Sequence, residues 1–272
     1  MQKSDWGGRG ERGIGLILCL TRRRRERREE KATETKEEWK MGKMGYGYGS
    51  EFHLLRWMGR HRDKFNEEVC KVIGVKGQNV EWFDFEFDDK NFIPDGELKG
   101  LDFLNGDTRE GEALQAFKNG EYSWPQTGQS MNWDAVGRIG DAYILCEAKA
   151  HVEEVEKTHK VEKSRSVSQR RRAFGFAQKK FSASKAEDWM LNYYQMANRL
   201  YVLALLDKCH IKAYLLNIYF CGDCRRGWHC PKTEDDWQEV IQDEMKKLGV
   251  VDSDFFQRRV KNLFLPVDGS HV

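Results

Sequence analysis

The chain has 272 residues, 46 Lys and Arg against 44 Asp and Glu, and is 39% hydrophobic and 12% aromatic with nine Trp, enough for one sizeable core or for one domain plus a tail. The charge is uneven: residues 1–43 hold 13 Lys and Arg against 8 Asp and Glu, and residues 44–272, with 33 against 36, carry −3. That excludes a broadly basic nucleic-acid-binding surface on the folded part, so any phosphate contact has to come from local patches.

Residues 1–43 mix Gly-rich, Arg-rich and Glu/Lys-rich pieces with no sustained apolar stripe. They read as a basic, disordered extension, with an Arg22–Arg28 arm for phosphate as the alternative. The apolar run Ile14 to Leu20 is too short to cross a bilayer, and Arg22–Arg25 directly after it do not suit a signal peptide. Seven cysteines, an odd number scattered through apolar and helical stretches, point to a reducing compartment rather than a disulfide framework. The expectation is a cytoplasmic protein without membrane attachment.

From residue 44 a single domain is expected. Ser50 is the expected N-cap of a helix over 51–73, with Phe52, Leu55, Met58, Phe65, Val69 and Val72 at helical spacing. Val80–Phe87 alternates as a strand, Leu98–Leu104 is a weaker one, and residues 105–130 read as a long loop or short-helix insertion. A hairpin spans Met131–Ala150, a polar and basic stretch runs to about Lys180, and a strong helix covers 186–208. Ile211–Phe220 is an apolar strand, Thr233 caps a helix to about Leu248, and Val260–Val267 is a last strand. This order predicts an α/β fold with a mixed central sheet flanked by helices.

The hairpin carries the chemistry. Gly140-Asp141 is a good two-residue turn. If Ile139 pairs with Ala142, Asp134 faces Glu147 and Asn132 faces Lys149, while alternation sets Glu147 and Lys149 on one face. Opposed Cβ atoms lie roughly 4.5–5.5 Å apart, so two such carboxylates repel unless a cation lies between them. Hard oxygen donors suit Mg²⁺ or Mn²⁺, with Asp134, Glu147 and the Ala148 carbonyl as ligands. Lys149 would orient or deprotonate a water and offset developing negative charge. The alternative is a solvent-exposed acidic face, since Glu-x-Lys is common on strands.

At Asp134 and Glu147-Ala148-Lys149 the sequence resembles the PD-(D/E)XK nuclease superfamily, in which a hairpin supplies an Asp and a Glu-x-Lys. The stretches Gly49-Ser50-Glu51-Phe52-His53-Leu54-Leu55-Arg56, Asn132-Trp133-Asp134-Ala135-Val136-Gly137 and Glu147-Ala148-Lys149-Ala150-His151 are similar to a family of uncharacterised bacterial proteins assigned to that superfamily. The resemblance implies a restriction-endonuclease-like core of helix, three strands, helix and strand, and a Mg²⁺-dependent nuclease acting on nucleic acid, with DNA the expected substrate. It also makes Glu51, on the first helix, and Gln195, on the second, auxiliary candidates. For Glu51 the alternative is a first-turn acid favoured by the helix dipole. A catalytically inactive nucleic-acid-binding or partner-binding module on the same scaffold is the second function class.

Two further constellations stand out. Cys221, Cys224, His229 and Cys230 are zinc-ligand types, but His229 and Cys230 are adjacent and a fourth ligand is missing, so a loop is expected rather than structural Zn²⁺. Arg170, Arg171, Arg172, Lys179 and Lys180, interleaved with Phe174 and Phe176, suit phosphates and unstacked bases, against a mobile solvated loop.

Overall fold

A computed structural model of the chain describes residues 48–83, 98–104, 108–126, 131–156, 165–183, 187–224 and 227–267. The chain divides between Tyr46 and Gly47, and everything described below belongs to the second unit. The extension expected over 1–43, and most of the strand expected over 80–87, lie outside the described residues.

The expected first helix is two, α1 (Ser50–Arg60) and α2 (Arg62–Ile73), broken at His61. The break turns α1 so that His53, Leu54, Trp57 and Met58 are buried, while Phe52 and Leu55, expected in the core, are exposed. Gly49, not Ser50, is the N-cap; the Ser50 hydroxyl instead donates to Glu154 Oε2 at 2.8 Å. Gly74, with φ of 84°, ends α2 in the left-handed conformation that glycine adopts without strain. Next come β1 (Val80–Trp82), β2 (Leu98–Lys99), α3 (Thr108–Asn119), β3 (Asn132–Trp133), β4 (Ala135–Ile139) and β5 (Ala142–Lys149).

The stretch read as a polar loop to Lys180 contains a helix, α4 (Arg165–Phe181). Its buried Ala173, Phe174, Ala177 and Phe181 form a helical stripe that the surrounding Arg and Lys obscure in the sequence. The helix expected over 186–208 is likewise broken, into α5 (Glu187–Met190) and α6 (Tyr194–Lys208). The chain closes with β6 (Ala213–Cys221), α7 (Glu234–Leu248), α8 (Asp254–Arg259) and β7 (Val260–Pro266). Thr233 caps α7 in a capping box with Asp236.

The main sheet has the order β1-β4-β5-β6-β7. The first two pairings are antiparallel and the last two parallel, which gives the mixed sheet its class. One face, with Ile144, Cys146, Ala148, Leu216 and Ile218, packs on Leu54, Trp57, Phe65 and Val69 of α1 and α2. The other, with Val136, Tyr143, Leu145, Leu215 and Tyr219, meets α3 to α8. Gly137 is required where it stands: an added Cβ would lie 2.8 Å from the Trp82 ring. Central β5 is buried at all eight positions, so Glu147 and Lys149 sit in a strand that has little tolerance for unpaired charge. No helix among the described residues is long and apolar enough to cross a membrane.

Candidate active site

The hairpin has the register the turn implies. Ile139 pairs with Ala142 and Ala135 with Cys146, Gly140 takes a φ of 57°, and Asp141 stays exposed in the turn beside Lys212, 3.2 Å away. At Asp134 the first strand departs from regularity. β3 leaves β5 and pairs with β2, so Asn132 does not face Lys149 as expected. The Asp134 side chain reaches across instead, and its Oδ2 accepts the Ala148 amide at 2.6 Å. The Ala148 N–H thus ties Asp134 to the residue whose carbonyl the sequence offered as a metal ligand.

Glu147 and Lys149 are both buried and point to the face covered by α6 and α7. Lys149 Nζ donates to Glu147 Oε1 and, at 3.0 Å, to Gln195 Oε1. Gln195, on the first turn of α6, is thus brought beside Lys149 and Glu147. Arg199, one helical turn further on, takes the second carboxylate oxygen: its Nε lies 2.7 Å and its Nη2 2.6 Å from Glu147 Oε2. The same Nη2 donates to the Asn132 carbonyl at 2.5 Å, and the guanidinium lies 4.6 Å from the Trp133 ring centre. Both oxygens of Glu147 are thus held by cationic side chains.

Sequence reasoning missed two of these residues. Arg199 stands four residues after Gln195, where the exonuclease branch of the resembled superfamily has a Tyr, and the sequence assigned it no role. Glu244, buried on α7, lines a small cavity with Glu147, Lys149, Gln195, Asn217 and Tyr219. Its signal was present, since Trp237, Ile241 and Leu248 form the buried stripe of α7 and Glu244 falls on it.

The electrostatics follow from burial and spacing. Burial opposes the charge on Glu147, but Arg199 and then Lys149 outweigh it and hold the carboxyl down at about 2. For Asp134, burial and next the Glu147 charge push the carboxyl up to about 7, against Lys149, the Ala148 amide and Arg199. Glu244 is pushed up to about 8, chiefly by burial, with Glu147 raising it and Lys149 opposing. Glu147 is therefore held in its charged form, while Asp134 and Glu244 both hold their protons more tightly than ordinary carboxyls.

The remaining candidates distribute as follows. Glu51 is exposed in the first turn of α1, a helix packed on the sheet face opposite Glu147, so the structure does not bring it into this group. Arg171, Arg172, Lys179 and Lys180 are exposed on α4, which packs along α6. Arg170 lies over the Tyr194 ring at 5.2 Å, and Lys180 pairs with Asp207. Cys224 and Cys230 form a disulfide, contrary to the expectation of reduced cysteines, and this removes both as zinc ligands; Cys70, Cys146, Cys209 and Cys221 are free. Among the described residues no group of three or more His, Cys, Asp or Glu is arranged to hold a metal ion.

Comparison with protein-family models, with curated proteins and with solved structures gives no match for this chain.

Proposed function

We propose that the chain is a metal-dependent nuclease that hydrolyses phosphodiester bonds, with DNA as the first substrate class to test. The observation that carries the reading is the convergence of Asp134, Glu147 and Lys149 where one hairpin strand peels away from the other, joined by Gln195 from the helix that follows. The order supports it too: a helical segment, an antiparallel set of β1, β4 and β5 interrupted by β2, α3 and β3, the helices α4 to α6, then β6 parallel to β5. That order fits the restriction-endonuclease-like core that the resemblance implies.

The residues present fit Mg²⁺ or Mn²⁺. Asp134 is raised in part by the charge of Glu147, so the two carboxylates already feel one another, and a cation between them relieves that repulsion. Mg²⁺ keeps several waters and is commonly bound through one or two carboxylates, so Asp134 and Glu147, with the Ala148 carbonyl, form a sufficient donor set. When bound, such an ion supplies Lewis-acid polarisation of a phosphoryl oxygen and a more acidic water.

The chain's own residues do the rest. Lys149, fixed between Glu147 and Gln195, directs its Nζ at the place where negative charge develops. The Ala148 amide holds the Asp134 carboxylate in one orientation, so the acid does not have to be ordered on binding. Half-buried Asn132, Asp134 and Gln195 form the mouth through which a phosphate would approach. The test is a gel assay with plasmid, linear duplex and RNA, with Mg²⁺, Mn²⁺ or EDTA, on the wild type and on Lys149→Ala. Metal-dependent cleavage lost in Lys149→Ala supports the reading; absence of cleavage of all three substrates sinks it.

One observation favours a second reading, a nucleic-acid-binding or partner-binding module without catalysis. Glu147 has both oxygens engaged by Lys149 and Arg199, which is how a retired metal ligand would be stabilised. Metal binding by the intact protein separates the two readings.

A further inference from the structure

Arg199 is the side chain that the nuclease reading leaves unexplained. It is 4% exposed, yet its guanidinium is not a passive neighbour. It occupies Glu147 Oε2 through two nitrogens and shares one of them with the Asn132 carbonyl. Its guanidinium carbon lies over the Trp133 ring, 4.6 Å from the ring centre. Asn132 and Trp133 immediately precede Asp134, whose carboxyl also feels the Arg199 charge.

We propose that Arg199 holds the cation position on Glu147 until metal and substrate arrive together, and that it then becomes the clamp for the scissile phosphate. This rests on the nuclease reading of the same site. The reasoning is charge accounting. Glu147 is the carboxylate that both cations touch, Lys149 at Oε1 and Arg199 at Oε2, so its charge is already matched by two positive side chains. A divalent ion held by Asp134 and Glu147 would add two positive charges, and Arg199 would then have to share or yield its hold on Glu147. A guanidinium deprived of its carboxylate inside a protein is strongly disfavoured, so the ion alone binds against a penalty. An incoming phosphodiester removes that penalty, because its oxygens suit the planar fork of Arg as well as a carboxylate does.

Arg199 can make the exchange without leaving its place. Its bond to the Asn132 carbonyl and its contact with the Trp133 ring do not depend on Glu147, and they hold the side chain beside the site. The consequence is reciprocal coupling: metal tightens substrate binding and substrate tightens metal binding by the same factor.

The test is calorimetric titration of the full chain with Ca²⁺, a hard cation of the same class used so that the nucleic acid stays intact, with and without a short DNA duplex. The wild type is expected to bind Ca²⁺ on the order of 10-fold more tightly with duplex present, within the usual 5–150-fold span of such couplings. Arg199→Gln is expected to bind Ca²⁺ more tightly than the wild type when duplex is absent, and to lose the coupling. Arg199→Lys, which keeps the charge, retains part of it. Equal Ca²⁺ affinity of the wild type with and without duplex overturns the proposal even if Arg199→Gln fails to fold, and so does weaker Ca²⁺ binding by a folded Arg199→Gln. Asp134→Asn separates this failure from that of the nuclease reading. Should it abolish Ca²⁺ binding in a protein that cleaves DNA but shows no coupling, only the role of Arg199 falls. Should neither Ca²⁺ binding nor cleavage occur in the wild type, both fall.

Discussion

Asp134 and Ala148 are joined across the hairpin by a 2.6 Å bond from the amide to the carboxylate, so the acid of one strand is fixed to the middle of the Glu-x-Lys tripeptide of the other. The bond exists because β3 turns away to β2 at this point and the side chain does what a strand carbonyl would otherwise do. Asp134→Ala should therefore lose more than a metal ligand. An unpaired buried amide costs about 1–3 kcal/mol, whereas Asp134→Asn keeps an oxygen that can accept. Denaturant melts of the metal-free proteins should rank Asp134→Ala below Asp134→Asn, while both fail to cleave. Equal stability of the two would show that the bond contributes nothing.

Glu147→Gln is expected to behave differently from the usual inactivating variant. It removes the charge that both Lys149 and Arg199 face, and breaking a buried pair from one side typically costs about 3–5 kcal/mol. The protein should lose cleavage and also a large part of its stability. Lys149→Ala leaves Arg199 in place on Glu147, and should be the milder of the two in melting temperature. Loss of an electrostatic contributor to the transition state typically reduces the rate by on the order of 10²–10³. A Lys149→Ala protein that cleaves at the wild-type rate would remove the lysine from the chemistry.

Much of this site was legible beforehand, and the reason is local geometry. A Gly-Asp turn and strict alternation fix which residues oppose one another, and residues 135–146 pair as those rules require. What escaped was set by distance in sequence. Arg199 reaches Glu147 from 52 residues away, and nothing in the pattern of α6, buried from Met196 to Leu206, says which carboxylate its guanidinium will find. Asn132 was misplaced because a strand that changes sheets at one residue leaves no mark in alternation. Glu244 was overlooked although it interrupts an apolar stripe.

Glu244 also gives a pH signature. Its folded value of about 8 lies above its ordinary 4.5, so the folded state holds the proton more tightly than the unfolded chain. Its stabilising contribution is complete below about pH 4.5 and is lost as pH rises through 8. A shift of this size corresponds to a few kcal/mol at most, on the order of 1.4 per unit. Glu147 acts in the opposite sense, contributing above about 4.5 and losing its contribution as pH falls towards 2. Thermal melts between pH 5 and 8 should show the metal-free wild type losing stability and Glu244→Gln losing less. Parallel curves would place the Glu244 proton elsewhere.

The Cys224–Cys230 bridge closes a short loop, six residues in separation. The loop is tied to the turn after Lys149 by bonds from the His229 amide to Glu153 Oε1 at 2.9 Å and from His151 to the Asp223 carbonyl at 2.9 Å. Chain-entropy arguments give about 2 kcal/mol for a loop of this length. Replacing both cysteines by serine should lower unfolding free energy by that order, and a reducing agent should do the same to the wild type but not to the variant. Trp228, exposed beside His151 at 5.0 Å between ring centres, offers a fluorescence reading of loop release. No change in stability on reduction would exclude the bridge as a structural element.

The basic face of α4 is the remaining element whose role can be separated by salt. Arg171, Arg172 and Lys179 are exposed there, and α4 packs along the helix that carries Gln195 and Arg199. If these side chains hold the backbone of a bound duplex, each phosphate contact adds about 0.9 to the slope of log affinity against log salt. Arg171→Ala with Arg172→Ala should then weaken binding at low salt and flatten the slope by nearly 2. Stability should change little, since exposed substitutions of this kind usually stay within about 0.5 kcal/mol. Lys71 and Lys76, exposed at the far end of α2 and just beyond it, provide the comparison. Removing the same charge there changes the net charge equally and moves it away from the site. If both pairs weaken binding alike, the effect is one of overall charge, and α4 is not the phosphate track. If only the α4 pair flattens the slope, the duplex runs along α4 towards the mouth formed by Asn132, Asp134 and Gln195.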